Sequence, residues 1–250
     1  MRYFRFGTGN RPFVILPGLS VHSIMGAEPL VREAYADYAN AYTAYVFDRE
    51  ENIREGYSIR DMAADTAKKM KELGLAGADV FGASQGGMIA QYLAIDFPEL
   101  VHKLVLGSTL AKGNDTFLRV VREWIALAGQ RDEEGLLESF ADHVYAGQTL
   151  DAYREDIISA NRGITEEEYV RFEILAGACL DFSCLEELGQ IACPVFVLGC
   201  EGDRVVTAEG SRQIVKALGC ESYFYDTRFG HGVYDEAEDY RERMLTFLRR

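Results

Sequence analysis

Apolar positions along this chain fall into short runs separated by stretches of helical spacing, the alternation that builds a sheet covered by helices. Residues 3–6 alternate polar and apolar and predict an edge strand. Gly7-Thr8-Gly9-Asn10 is a turn, and Phe13-Val14-Ile15-Leu16 is an apolar run suited to a buried strand that Pro17-Gly18 stops. Residues 42–47 predict the next strand. Ser58 then caps a helix running to about Leu73, with Asp61 as the acid of a capping-box-like pair and Gly74 as its stop. Asp79-Val80-Phe81 is short and β-prone. A helix over residues 86–97 ends near Pro98, and Leu104-Val105-Leu106 is another buried strand closed by Gly107.

The rhythm changes from about Lys112 to Gln190, where no strong strand pattern occurs. Phe117, Val120, Val121, Trp124, Leu127 and Ala128 fall at helical spacing, as do Leu136, Leu137, Phe140 and Val144. Thr165 and Glu168 form a capping box ahead of a helix carrying Tyr169, Phe172, Ile174 and Leu175. This segment is a helical insertion. Strand patterns resume at residues 195–198 and 223–225, and a closing helix is expected over residues 235–248.

Composition narrows the function. At 250 residues the chain fits one domain with a modest insertion, and 48% hydrophobic with 26% charged residues is an ordinary globular balance. A net charge of −14 repels polyanions, so neither nucleic acid nor an anionic membrane face is an expected partner. No apolar run approaches the 18 or so residues of a membrane span, and Met1 to Phe6 has no signal-peptide apolar region. Five cysteines, Cys179, Cys184, Cys193, Cys200 and Cys220, are odd in number and match no metal spacing, which reads as idle thiols in a reducing cytoplasm. Gly7-Thr8-Gly9 begins a G-x-G, but Pro12 stands where the third glycine of a dinucleotide site belongs.

The chemistry concentrates elsewhere. Gly82-Ala83-Ser84-Gln85-Gly86 is a G-x-S-x-G pentapeptide between a predicted strand and a predicted helix, a pattern with about 0.1 occurrences expected by chance in this composition. A serine at such a sharp turn takes a strained backbone, and small neighbours let the chain pass closely. Its hydroxyl is then exposed at a helix N-terminus, where backbone N–H groups face a developing oxyanion. Of the histidines His22, His102, His143 and His231, only His231, between Gly230 and Gly232, follows the last strand and precedes the last helix. Asp203, in the loop after residues 195–198, is the candidate acid to orient that imidazole, with Asp115 and Glu201 as rivals. The Gln85 N–H is one oxyanion donor, and the Leu19 N–H, in the loop after the first buried strand, is the other.

These residues resemble the α/β-hydrolase superfamily, and the resemblance covers nearly the whole chain. Leu16-Pro17-Gly18 is similar to its oxyanion loop and residues 81–88 to its nucleophile elbow. Asp96-Phe97-Pro98-Glu99-Leu100-Val101 with residues 104–106 is similar to its helix-turn-strand step. Gly202-Asp203-Arg204-Val205-Val206 and Gly230-His231-Gly232 are similar to its acid and histidine loops. The resemblance implies an α/β fold: a mainly parallel sheet flanked by helices, with residues 1–111 and 191–250 as the core. Residues 112–190 would then be an all-helical cap inserted after the family's sixth strand. Pro17 stands where the commonest oxyanion loop has a histidine. Asp48-Arg49 resembles an Asp-x-Arg-Gly turn after the family's fourth strand, although Glu50 and Glu51 replace the usual continuation.

The expectation is a serine hydrolase that cleaves a small carboxylic ester through Ser84, His231 and Asp203, with no metal or organic cofactor. Hydrolysis of a C–C bond, an enol-lactone or a short peptide is open on the same fold, as is a ligand-binding protein with a vestigial triad. Trp124, Phe117, Leu127, Phe140, Phe172 and Leu175 are many large apolar residues for one insertion. Some of them should roof a pocket over Ser84, so the small-molecule substrate should carry an apolar part. Oligomeric state is not legible.

Overall fold

A computed structural model describes residues 1–250. Seven strands, β1 (Tyr3–Phe6), β2 (Arg11–Leu16), β3 (Tyr42–Phe47), β4 (Ala78–Ala83), β5 (Val101–Gly107), β6 (Val195–Cys200) and β7 (Glu221–Tyr225), form one sheet in the order β1-β3-β2-β4-β5-β6-β7. Only β1 runs antiparallel, against β3; every other pairing is parallel. A parallel sheet is covered on both faces, so its strands are apolar throughout rather than alternating. All six residues of β4 are buried, as are the last four of β2. The strand order puts β4 between β2 and β5, so the loops leaving these strands converge at one sheet end.

Ten α-helices accompany the sheet: α1 (Glu28–Ala34), α2 (Ile59–Glu72), α3 (Gln85–Asp96), α4 (Asp115–Gly129), α5 (Glu133–Val144), α6 (Gly147–Ala160), α7 (Glu166–Leu180), α8 (Thr207–Leu218), α9 (Val233–Glu236) and α10 (Tyr240–Arg249). Ser58 and Asp61 close a reciprocal capping box on α2, and Thr165 and Glu168 do so on α7. Helix α3 is buried on every side, with only Asp96 outside the core, so its apolar composition reflects a central position rather than one packed face. One apolar cluster joins a sheet face to α2, α3 and the inserted helices through Trp124, Leu136 and Phe172. A second fills the other face against α10 through Phe13, Phe81, Tyr240 and Met244. No helix is long and apolar enough to cross a membrane.

Helices α4 to α7 lie between β5 and β6, where the pattern of apolar spacing put an insertion. In this chain that position follows the fifth strand, because one strand fewer precedes β3 than the family numbering counts. Helices α1 and α6 have no counterpart in the sequence reading: α1 has no buried residue and α6 only Ile158, so neither carries an apolar stripe. The expected closing helix over 235–248 is two helices, because Ala237 is extended (φ −93°, ψ 119°) and separates α9 from α10.

The junction from β4 to α3 is closely packed against the end of β2. A Cβ on Gly86 would lie 2.0 Å from the Leu16 carbonyl oxygen and 2.5 Å from that of Pro17, so the end of β2 occupies the space a side chain needs. Gly177, inside α7, has nothing within 4 Å of that position. Gly86→Ala should therefore abolish soluble expression or cost several kcal/mol, roughly the overpacking range and above. Gly177→Ala should gain about 0.5–1 kcal/mol from helix propensity. Urea denaturation of both variants checks the contrast; equal effects would contradict it.

Candidate active site

Ser84 occupies the turn between β4 and α3 with φ 50° and ψ −118°, a conformation costing about 1–3 kcal/mol for a residue with a side chain. Surrounding hydrogen bonds hold it there. Its N–H donates to the Gly107 carbonyl at 2.9 Å, and its carbonyl accepts from Gly87 N–H at 2.9 Å, Met88 N–H at 3.1 Å and the Thr109 hydroxyl at 2.7 Å. The strain turns the hydroxyl out of the sheet, at the N-terminus of α3.

His231 Nε2 lies 2.9 Å from Ser84 Oγ, and its Nδ1 lies 2.9 Å from Asp203 Oδ2. Asp203 is a carboxylate, so the assignment that satisfies both contacts has Nδ1–H donating to Asp203 and Nε2 accepting from the Ser84 hydroxyl. The other Asp203 oxygen accepts the N–H groups of Val205 (2.8 Å), Val206 (2.9 Å) and Thr207 (3.3 Å), which fixes the carboxylate in the turn before α8. All three side chains are buried. The glycines flanking His231 have a steric origin: a Cβ on Gly230 would lie 2.7 Å from Val144 O, and one on Gly232 3.0 Å from the Tyr145 ring. Gly232 N–H donates to Val144 O at 2.7 Å, while Glu236 accepts Gly230 N–H and Ala146 N–H, so the histidine loop is moored to the α5–α6 connection.

The rivals lie elsewhere. Asp115 opens α4 in its first turn, and Glu201 pairs with Arg212. His22 bonds Glu168 and the Asn161 carbonyl, linking its loop to the insertion; burial opposes its charge, but the Glu168 and Asn161 hydrogen bonds together with the nearby Glu168 and Glu133 charges raise its pKa. His102 pairs with Asp79 and His143 with the Ser139 carbonyl. The five cysteines are unpaired thiols, each pushed up by burial.

The loop after β2 crosses directly over the serine: a Cβ on Gly18 would lie 3.3 Å from Ser84 Cβ. Neither the Leu19 nor the Gln85 N–H donates to a backbone carbonyl, so both amides are free for a ligand. What holds this loop is a buried pair that the sequence marked only as a turn. The Arg49 guanidinium donates to the Pro17 carbonyl at 2.6 Å and to Gln85 Oε1 at 3.1 Å. The Gln85 amide then donates to Leu175 O at 2.7 Å and to Cys179 Sγ at 3.2 Å on α7. Asp48 accepts from Ser23 at 2.5 Å, from Arg171 of α7 at 2.8 Å and from Arg49 N–H at 2.7 Å. Burial pulls the Arg49 guanidinium down to about 10. For Asp48 burial acts upward, but Arg171 and the hydrogen bonds hold its carboxyl below the usual range.

Ser84 opens on a cavity of about 600 Å³ lined by 28 residues, 20 of them hydrophobic, so a ligand there meets mostly apolar wall. Of the six large residues singled out in the insertion, Trp124 and Phe140 line it, stacked at 4.3 Å between ring centroids. Phe117, Phe172 and Leu175 are interior packing, and Leu127 is half-buried off the cavity. Helix α1, which the apolar spacing did not predict, also lines the cavity with Leu30, Val31 and Ala34.

Removing the Arg49 side chain leaves the Pro17 carbonyl and Gln85 Oε1 buried without their guanidinium donor, while Asp48 keeps Arg171. Arg49→Leu should lose about 3 kcal/mol of stability, in the range for breaking a buried charged network. Chemical denaturation of this variant beside Arg60→Leu, whose side chain forms exposed pairs, measures it. Equal small losses would contradict the network's role.

A sequence profile for the alpha/beta hydrolase fold matches residues 41–238. A provisionally assigned carbamate hydrolase, RutD of Caulobacter sp. strain K31, is 28% identical over 207 residues, 78% of this chain and 74% of its own. A provisionally assigned non-heme bromoperoxidase, BpoC of Mycobacterium tuberculosis, is 29% identical over 229 residues, 84% of each chain. Its crystal structure superposes with a TM-score of 0.80 at 25% identity, over 99% of this chain and 95% of that one. The fold is shared with an alpha/beta hydrolase enzyme from a Medee basin deep-sea metagenome, at TM-score 0.86 and 18% identity over 100% of this chain and 94% of the other. With the profile spanning most of its length and a mostly parallel seven-stranded sheet carrying the serine at its centre, the chain belongs to the α/β hydrolase fold family.

Proposed function

We propose that the protein is a serine hydrolase of small carboxylic esters with Ser84 as nucleophile, His231 as base and Asp203 as the acid that orients it. The observation that carries this reading is the unbroken buried chain from Ser84 Oγ to His231 to Asp203, 2.9 Å at each step. Ser84 Oγ attacks the ester carbonyl as His231 Nε2 takes its proton, and Asp203 stabilises the imidazolium. The tetrahedral oxyanion is held by the Leu19 and Gln85 N–H groups, helped by the N-terminus of α3. Collapse expels the alcohol, which receives the proton from His231. Water, activated by the same histidine, then releases the acyl group. The sequence of steps uses protein groups and water alone. In this reading residues 112–190 act as a cap over a core of residues 1–111 and 191–250.

A second reading keeps the machinery and changes the bond. The relative named as a carbamate hydrolase favours an acyl C–N substrate, for which His231 protonates a departing amine instead of an alkoxide. A panel of matched esters and carbamates separates the two.

A fluorophosphonate probe should label Ser84, mapped by peptide mass spectrometry. Asp203→Asn should cut kcat by a few powers of ten through the wrong imidazole tautomer, while Asp115→Asn changes it little. Labelling at another residue, or equal losses in the two variants, would overturn the assignment.

The apolar cavity adds a second expectation. Across p-nitrophenyl esters from acetyl to dodecanoyl, kcat/KM should rise by about fourfold per CH₂, from roughly 0.8 kcal/mol each, until the cavity is filled, and then fall. A decline from acetyl onward would mean that the cavity does not receive the acyl chain.

A further inference from the structure

Apart from His231, the only charged side chains lining the Ser84 cavity are Asp235 and Arg241. They stand beside three tyrosines that line the same cavity, Tyr35, Tyr145 and Tyr234. The Arg241 guanidinium lies over the Tyr35 ring, 5.5 Å from its centroid, and its Nη2 is 3.4 Å from Asp235 Oδ1. That distance is long for a charged hydrogen bond, so the pair leaves hydrogen-bonding capacity unused. Arg241 Nε is buried with no partner, and no protein group donates to the second Asp235 oxygen. The Asp235 side chain lines the cavity and is 52% accessible, and the protein packed around it pushes its carboxyl up to about 6. The Tyr145 and Tyr234 hydroxyls are raised by burial first and then by the Asp235 charge, with no hydrogen-bond contribution for either.

We propose that this end of the cavity binds a neutral hydrogen-bonding group of the substrate, of hydroxyl type, separated by an apolar segment from the bond that Ser84 attacks. The proposal rests on the hydrolase reading and names its substrate class. An apolar chain filling the cavity would strip water from a carboxylate, a guanidinium and two phenols and return no hydrogen bond, which costs the full desolvation of each group. A hydroxyl donates to Asp235 and accepts from a tyrosine or from Arg241. The ion pair also selects against charge: an ammonium drawn to Asp235 meets Arg241 beside it, and a carboxylate drawn to Arg241 meets Asp235. Tyr234 ties this end to the reacting centre, because its hydroxyl is 3.9 Å from the Cβ position of Gly18, the residue that crosses over Ser84.

Two matched ester sets test this, one extending the acyl chain and one the alcohol chain. Each runs from four to eight carbons and ends in methyl, hydroxyl, ammonium or carboxylate. In one set the hydroxyl-ended ester should exceed its methyl counterpart about tenfold or more in kcat/KM at the best length, with both charged ends below it. Asp235→Leu should bring the hydroxyl-to-methyl ratio to one or less, and Asp235→Asn should keep part of it. A ratio within one protein does not depend on how much of it folds, and the wild-type ratio stands even if the leucine variant is insoluble. Preference for methyl or a charged end in both sets, or a ratio unmoved by Asp235→Leu, overturns the proposal. Calorimetric binding of the same esters to Ser84→Ala gives the ratio without turnover. Preferential binding without any hydrolysis by the wild type would fail the hydrolase reading alone. Hydrolysis without the preference, or binding of neither ester, would fail this inference.

Discussion

The architecture turns on one backbone contact, where the first turn of α3 presses against the end of β2 at Gly86. Only a residue without a Cβ lets the two chains meet there, and the meeting has two results. It holds Ser84 in a left-handed conformation between a strand buried at every position and a helix buried on every side. It also brings the loop after β2 over the serine, with Gly18 against Ser84. The strain at Ser84 persists because the carbonyl side of that residue takes three hydrogen bonds and its amide one, which over-determine the turn.

Around that contact the protein is laced together by groups that do not touch the serine hydroxyl. Arg49 bonds the loop after β2 and the residue after Ser84 at once, and Gln85 carries the connection on to α7. Asp48 repeats the pattern through Ser23 and Arg171. On the other side Glu236 and Gly232 join the histidine loop to the α5–α6 connection. The inserted helices are therefore fastened to the sheet at both flanks of the site, so the cavity wall and the reacting groups form one packed unit rather than two bodies joined by a linker.

How much of this was legible follows from the range of each cause. The strands, the capping boxes of α2 and α7 and the elbow are written in residues a few positions apart, and local pattern finds them. Asp203 and His231 could be singled out because the topology forces their loops to one end of the sheet. Arg49 could not: its partners, Pro17 and Gln85, are 32 and 36 positions away, and an arginine after a strand carries no periodic mark. Helix α1 was illegible because it presents no buried stripe. The break at Ala237 also escaped, since the residues around it keep helical spacing. Nothing in the local sequence around Asp235 and Arg241 marks them as cavity residues; only the fold brings both to its wall.

The central claim is that Ser84 forms a covalent bond to the substrate during turnover. Acid quenching of the wild-type protein within milliseconds of mixing with a p-nitrophenyl ester, followed by intact-mass and peptide analysis, tests it most directly. The account predicts a mass increase equal to the acyl group, located on the peptide containing Ser84 and absent from Ser84→Ala. Release of p-nitrophenol with no adduct on that peptide, continuing undiminished in Ser84→Ala, would contradict it.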